Sequence, residues 1–314
     1  MNYLRTFSKE ESVLSLVCGV LSVIFLFVAF LIYTCNPKLQ NIPGKNLISL
    51  ISALLMAQLL FILAPLFTNS SPWCAVIAII IHYSFLSSFF WMNVMSFDIF
   101  FTFSAGFKRS GDRGQSSKRF KYYSLYAWSV PCVLLTICVI IDVWSTSDYR
   151  PLYGDVVCWI SSPKALLVFF LVPLGIILFS NIIFFVITAK NIYVSEHNTA
   201  KILKKKESCK LLIYIKLSVA MGMTWIFGFV ATGANNIVWW YLFIIFNGLQ
   251  GVFIFMSFVL TPKVLRMVHG RVRTIFIDYR SYSMFGKSSS STKSTHLMTT
   301  KSEDILVKQD ESKC

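Results

Sequence analysis

An all-α membrane protein, folded as a bundle of seven transmembrane helices, is what this 314-residue sequence predicts. Three observations predict it. The chain is 56% hydrophobic with a mean hydropathy of +0.66, above the ~45–50% apolar share of soluble domains. Its apolar residues gather in seven windows long enough to cross a bilayer core of about 30 Å. Its bases alternate between connectors, dense in one set and sparse in the other.

The windows justify the bundle in order. The first, Val13–Cys35, follows a nearly balanced flank of Arg5, Lys9, Glu10 and Glu11 and precedes Lys38 and Lys45. It is too long for a cleaved leader and lacks a small-residue cleavage site after it, so it is expected to insert itself. Residues 1–12 form a short outer amino terminus, with no folded outer domain in this sequence. Leu47–Phe67 is the second span, and Cys74–Phe103, long enough to tilt, is the third. Tyr122–Val143 carries Pro131 and Ala165–Ala189 carries Pro173, so the fourth and fifth spans are expected to kink. Leu211–Ala234 and Trp239–Leu260 complete the membrane domain, residues 13–260. No window alternates as barrel strands do, and dissimilar halves argue against the inverted repeats of many transporters.

Charge sets the topology. The connectors 36–46, 104–121, 190–210 and 261–314 hold 2, 6, 6 and 10 Lys and Arg, 24 of the 29; the opposite connectors hold 4. The positive-inside rule places the first set in the cytoplasm, the amino terminus outside and the carboxyl terminus inside. Topology and attraction to anionic inner-leaflet lipid then account for the net charge of +15. Nucleic acid is not an expected partner. After Pro262, the sequence KVLRMVHGRVRTIFI puts Val264, Val268, Val272 and Ile275 on one helical face, as in a short juxtamembrane amphipathic helix over 261–277. Residues 278–314 are polar and Ser/Thr-rich, a disordered cytoplasmic tail. There Ser288, Ser289, Ser290, Ser291 and Thr292 are candidate phosphorylation sites that would attract an arrestin-like protein.

Of eight cysteines, Cys74 at the head of the third span and Cys158 in the second outer loop face the oxidising side. A disulfide between them would pin that loop over the bundle; two unpaired thiols are the alternative. Asn69, in Asn69-Ser70-Ser71, is the one outward glycosylation sequon. The four histidines are scattered, no His/Cys cluster has zinc spacing and no Gly-rich phosphate loop occurs. Neither enzyme chemistry nor a cofactor is expected.

Several stretches carry a resemblance. MGMTWIFGFVATG, Met221–Gly233, resembles the GLTWIFG segment of adhesion-type and Methuselah-type G-protein-coupled receptors, and NGLQGVFIFMSFVLTPKV, Asn247–Val264, resembles their N-x-L-Q-G-x-F-I-F run. FWMNVMSFDIFFTF in the third span is similar to the FW-x-NVM-x-FDIW-x-TF signature of the insect Methuselah branch, and IPGKNLI is like its HGK-x-L-I. A further match is Cys158–Ala189, and together these cover most of Pro43–Lys263. The resemblance implies a plasma-membrane receptor of the class B, Methuselah-like kind. It would couple an unknown extracellular ligand to a heterotrimeric G protein, in a family associated in insects with stress resistance and lifespan. Methuselah receptors carry a Cys-rich outer domain and adhesion receptors a self-cleaving one. This sequence has neither, so no ligand site is borrowed from them.

Intramembrane polar residues are the candidate machinery. Asp98 lies about 36 Å along a helix from Cys74 at ~1.5 Å per residue, near the inner mouth. It would either lock the third span to Lys216 of the sixth until activation, or cap its helix and pair with Lys108 or Arg109, with Lys216 reaching lipid phosphates. Trp225, between Gly222 and Gly228, marks either the bending segment of the sixth span, as the resemblance implies, or a core aromatic beside packing glycines. Asn247 and Gln250 stand one turn apart, and Gln58, His82, Asn93 and Asn181 offer partners, as a switchable network or as interhelical glue. A G-protein-coupled receptor is the function expected. The alternatives are a non-signalling truncated receptor that modulates full-length relatives and, less favoured for want of a polar path, a transporter or channel.

Overall fold

The computed structural model describes residues 8–67, 72–104, 113–195, 227, 230, 237–262 and 264–270. Among these residues every long element is a helix. They are α1 (Lys9–Cys35), α2 (Ile42–Leu63), α3 (Pro72–Ser104), α4 (Arg113–Trp144), α5 (Pro163–Leu166), α6 (Val172–Ser195), α7 (Ile237–Gly248) and α8 (Gln250–Phe258). A π-turn, Leu167–Leu171, joins α5 to α6. Five spans are long and apolar enough to cross a membrane, and the bent pair α7–α8 makes a sixth. The sixth window of the sequence, Leu211–Ala234, lies outside the described residues except at Phe227 and Val230.

Local chemistry sets the helix starts. Ser8 caps α1 reciprocally with Glu11: the Glu11 amide donates to Ser8 Oγ at 3.2 Å and the Ser8 amide to Glu11 Oε2 at 2.9 Å. Asn41 caps α2 by accepting from the Gly44 amide at 3.0 Å, with Pro43 in the first turn. A β-carbon at Gly44 would fall on the Leu39 carbonyl, so the chain can make this entry only with glycine.

Around these helices the core organises on α3. Of its apolar window 67% is buried, against 17% for α4, whose outer faces suit lipid. α3 is apolar on all sides, as expected of a central rod, and it packs against α2, α4 and α6. Two of its hydroxyls bond within the helix: Ser84 donates to the Ile80 carbonyl and Thr102 to the Asp98 carbonyl, both at 2.7 Å. Pro131 is accommodated within one continuous α4.

Small residues close α1 onto the last span. A β-carbon on Gly248 would lie 2.6 Å from that of Cys18, and one on Gly251 would lie 2.5 Å from Ser22 Oγ and 2.6 Å from Leu26 Cγ. The Gly251 amide donates to Ser22 Oγ at 2.7 Å. Between these contacts the helix bends by 46° at Leu249. Toward the far end of α1, Tyr33 donates to the Phe258 carbonyl at 3.2 Å.

Candidate functional site

Polar junctions sit at three levels along α3. At the first, Cys74 and Cys158 form a disulfide with 4.9 Å between α-carbons. It ties the loop between α4 and α5 across the end of the bundle and, closing 84 residues of chain, contributes about 2–4 kcal/mol. The loop is folded by its own polar atoms. The Leu152 amide donates to Asp142 Oδ1 at 2.7 Å, and the Ser161 amide to the Pro151 carbonyl at 3.1 Å. Gly154 adopts φ +75° where a β-carbon would lie 2.6 Å from the Ala75 backbone nitrogen, so this turn presses on the first turn of α3. On the loop's exposed side, the Lys164 hydrogen bond at 2.7 Å holds the Asp148 carboxyl below its ordinary range.

Tyr153 aims inward from that loop. Its hydroxyl lies 2.7 Å from His82 Nδ1 on α3 and also meets the Cys138 thiol on α4. His82 Nε2 lies 3.4 Å from the Phe169 carbonyl in the π-turn. A carbonyl can only accept, so Nε2 carries the proton, Nδ1 accepts, and Tyr153 donates to it. Burial raises the Tyr153 phenol above its ordinary range and keeps it a donor. The Phe169 carbonyl is free for His82 because the residue four positions on is Pro173, which has no N–H to bond it. The π-turn accommodates that missing bond. Trp159 seals the site, packing against His82, Phe85 and Phe170 with ring centroids 5.3–6.0 Å apart.

Tyr153→Phe removes the donor and leaves Nδ1 of a fully buried imidazole without it. The expected cost is about 1–3 kcal/mol, read as a lower Tm of the purified protein. An unchanged Tm would show that the disulfide alone holds the loop.

At the second level Asn93 of α3 joins two other helices. Its Nδ2 donates to Asn181 Oδ1 on α6 at 3.0 Å, and its Oδ1 accepts from the Tyr126 hydroxyl on α4 at 3.1 Å. At the third level lies Asp98. Its Oδ1 accepts from Tyr123 at 3.0 Å and pairs with Arg119 at 3.6 Å, while the Arg119 guanidinium covers the Phe101 ring at 4.9 Å.

The candidates therefore separate. Asn93 and Asn181 meet as partners, whereas His82 serves the loop at the disulfide end. Gln58 is buried with Oε1 unpartnered among the described residues. The bend at Leu249 falls between Asn247 and Gln250, which ends their shared helical face; Gln250 is buried and Asn247 half-buried. Among the described residues the partners of Asp98 are Arg119 and Tyr123, on α4. Lys108, Arg109, Lys216, Gly222, Trp225, Gly228, Asn69 and the tail sites Ser288–Thr292 lie outside the described residues. Next to that region, Phe227 packs against Trp239 and Phe246 of α7, with centroids 6.0 and 5.3 Å away.

Sequence reasoning missed Tyr123, Tyr126, Tyr153 and Arg119. Three of them carried a signal: Arg119, Tyr123 and Tyr126, at four- and three-residue spacing, form one stripe on α4. Among the described residues no group of three or more His, Cys, Asp or Glu could share a metal ion.

Comparison with known proteins gives a concordant picture. The model of the seven-transmembrane receptor (secretin) family matches residues 9–254. G-protein coupled receptor Mth2 of Drosophila yakuba is 28% identical over 292 residues, which cover 87% of this chain and 53% of that protein. Latrophilin receptor-like protein A of Dictyostelium discoideum is 30% identical over 276 residues, covering 85% and 81%. Adhesion G-protein coupled receptor G2 of Mus musculus is 30% identical over 261 residues, covering 79% and 25%. The chain spans about half the length of the insect relatives it matches.

Proposed function

Because this chain belongs to the secretin family of seven-transmembrane receptors, a family of multi-pass plasma-membrane proteins, we propose that it passes an outer stimulus to a heterotrimeric G protein by rearranging its helices. It acts as a receptor and not as an enzyme. The amino terminus and the Cys74–Cys158 loop face outward and the basic connectors face the cytoplasm. The observation that carries this reading is the placement of the junctions on α3. One rod is bonded to the outer loop through His82, to α4 and α6 through Asn93, and to α4 again through Asp98 at the basic end. A displacement of the loop thereby acts on the helix that reaches the cytoplasmic rim.

In this proposal Asp98 is the fixed acid, held by α4. Lys216, Gly222, Trp225 and Gly228 of the sixth span, with Asn247 and Gln250 of the seventh, form the moving side. Phosphorylation at Ser288–Thr292 recruits an arrestin-like protein, and stress-response signalling is the biological setting. A nucleotide-exchange sensor panel in cells tests it: expression is expected to raise exchange on at least one heterotrimer above that of a misfolding variant at matched expression. No rise on any heterotrimer, with co-precipitation of a longer relative, would instead make the chain a non-signalling partner. Tags on both termini test orientation in unpermeabilised cells, where only the amino-terminal tag is expected to bind antibody.

A further inference from the structure

Pro173 denies the fifth span a regular helix at one point. The Phe169 carbonyl would ordinarily bond the amide four residues on, but residue 173 has no N–H and its ring crowds that carbonyl. The π-turn answers this, with the Val172 amide reaching back to the Leu167 carbonyl. A π-turn is rare on its own account, so its neighbours select it. Two contacts do so. His82 Nε2 meets the Phe169 carbonyl at 3.4 Å. Phe170, only 1% exposed, packs on His82, Phe89 and Trp159 with centroids 5.8, 5.9 and 5.3 Å away.

Both contacts answer to the loop between α4 and α5. The imidazole is aligned by its short bond to Tyr153, 2.7 Å, and its longer bond to Phe169 follows that alignment. Trp159 comes from the same loop, and the two move as one piece. Tyr153 bridges Ile160 in antiparallel fashion, and the Gly154 amide donates to the Trp159 carbonyl at 3.3 Å. Next to Tyr153, Leu152 has φ +51°, a left-handed conformation that leucine rarely adopts. Backbone strain of this kind persists where surroundings impose it, and it marks segments with a second arrangement.

On the far side little resists movement. Leu167, Val172 and Ile176 are exposed, and a β-carbon on Gly175 would meet nothing within 4 Å. Further along, α6 is fastened to α3 by the Asn93–Asn181 bond and by Phe184 against Phe97 and Phe100.

We infer that the π-turn is a latch on the fifth span. Tyr153 and Trp159, acting through His82 and Phe170, hold it in π register; lifting the loop lets residues 163–171 swing about Pro173 while α6 stays fastened at Asn181. The inference extends the proposed function to the fifth span, but it rests on the loop geometry and not on G-protein coupling.

Hydrogen–deuterium exchange of the full chain in phosphatidylcholine nanodiscs, without G protein, provides the test. Tyr153→Phe is expected to speed exchange of amides 166–172 at least tenfold and to leave amides 181–190 within twofold. Pro173→Ala supplies the missing N–H to the Phe169 carbonyl, so in that background Tyr153→Phe is expected to change amides 166–172 less than twofold. No acceleration in the single variant, equal acceleration in both backgrounds, or acceleration of both segments alike overturns the latch. Should Tyr153→Phe fail to give a monodisperse protein, Leu152→Gly decides. Relief of the left-handed backbone beside Tyr153 is expected to slow exchange of amides 166–172, and an unchanged or faster rate overturns the latch. Any of these failures leaves the nucleotide-exchange assay, and the reading it tests, untouched.

Discussion

Gly251→Leu is expected to abolish folded receptor, seen as loss of surface display and of a monodisperse peak in detergent. Gly251 is fully in contact with α1: its amide donates to Ser22 Oγ at 2.7 Å, and any β-carbon would lie against the Ser22 backbone carbonyl and 2.6 Å from Leu26 Cγ. Helix association in lipid lacks a hydrophobic drive between apolar faces, so it depends on close approach of this kind and on interhelical hydrogen bonds. A leucine forces α1 and α8 apart and breaks the bond as well. Overpacking of a tight site costs about 1–3 kcal/mol and more where backbone must move, as it must here. Gly270, whose added β-carbon meets nothing within 4 Å, is the comparison. Gly270→Leu is expected to leave display unchanged. Equal display of the two variants would mean that the seam between first and last spans does not hold the bundle.

The seam also shows what the sequence disclosed and what it did not. Spans were legible because about 20 apolar residues in a row have few other uses: α1 to α3 begin and end within a few residues of the expected windows, whereas α4 begins at Arg113, a polar stretch ahead of the expected Tyr122. The disulfide was legible because topology put two cysteines on one side. What local sequence does not encode is the rotation of each helix about its own axis. That angle decided that Asp98 and Asn93 meet tyrosines of α4, which read in isolation as ordinary membrane aromatics. His82 was legible as a buried polar group, but its partner Tyr153 lies 71 residues away in a loop whose path is fixed only once Cys158 is bonded. Pro173 announced a disturbed helix. That the disturbance would free the Phe169 carbonyl for His82 required the tertiary arrangement. The break at Leu249 carried no proline; it follows from glycines on either side being drawn against α1.

Asp98→Ala and Arg119→Gln together are expected to separate the two duties of the inner acid. Both Tyr123 and Arg119 reach the same oxygen, Oδ1, so a base approaching Oδ2 from the sixth span, as Lys216 does in the proposal, adds to the existing contacts without displacing them. Loss of Asp98 leaves the Arg119 charge and the Tyr123 hydroxyl without their acceptor. Because about a quarter of the Arg119 side chain is open to solvent, the cost is about 2–3 kcal/mol, below the ~3–5 of a fully buried pair. Arg119→Gln removes the same ion pair but spares the carboxylate and its bond to Tyr123, and is expected to cost less. At matched surface display, Asp98→Ala is expected to raise basal nucleotide exchange while Arg119→Gln leaves it near the wild-type level, since only the first releases the moving helix. If exchange is flat in both while Tm falls, the acid fastens α3 to α4 and does nothing more, and the restraint on the sixth span must be sought among the amides of the seventh.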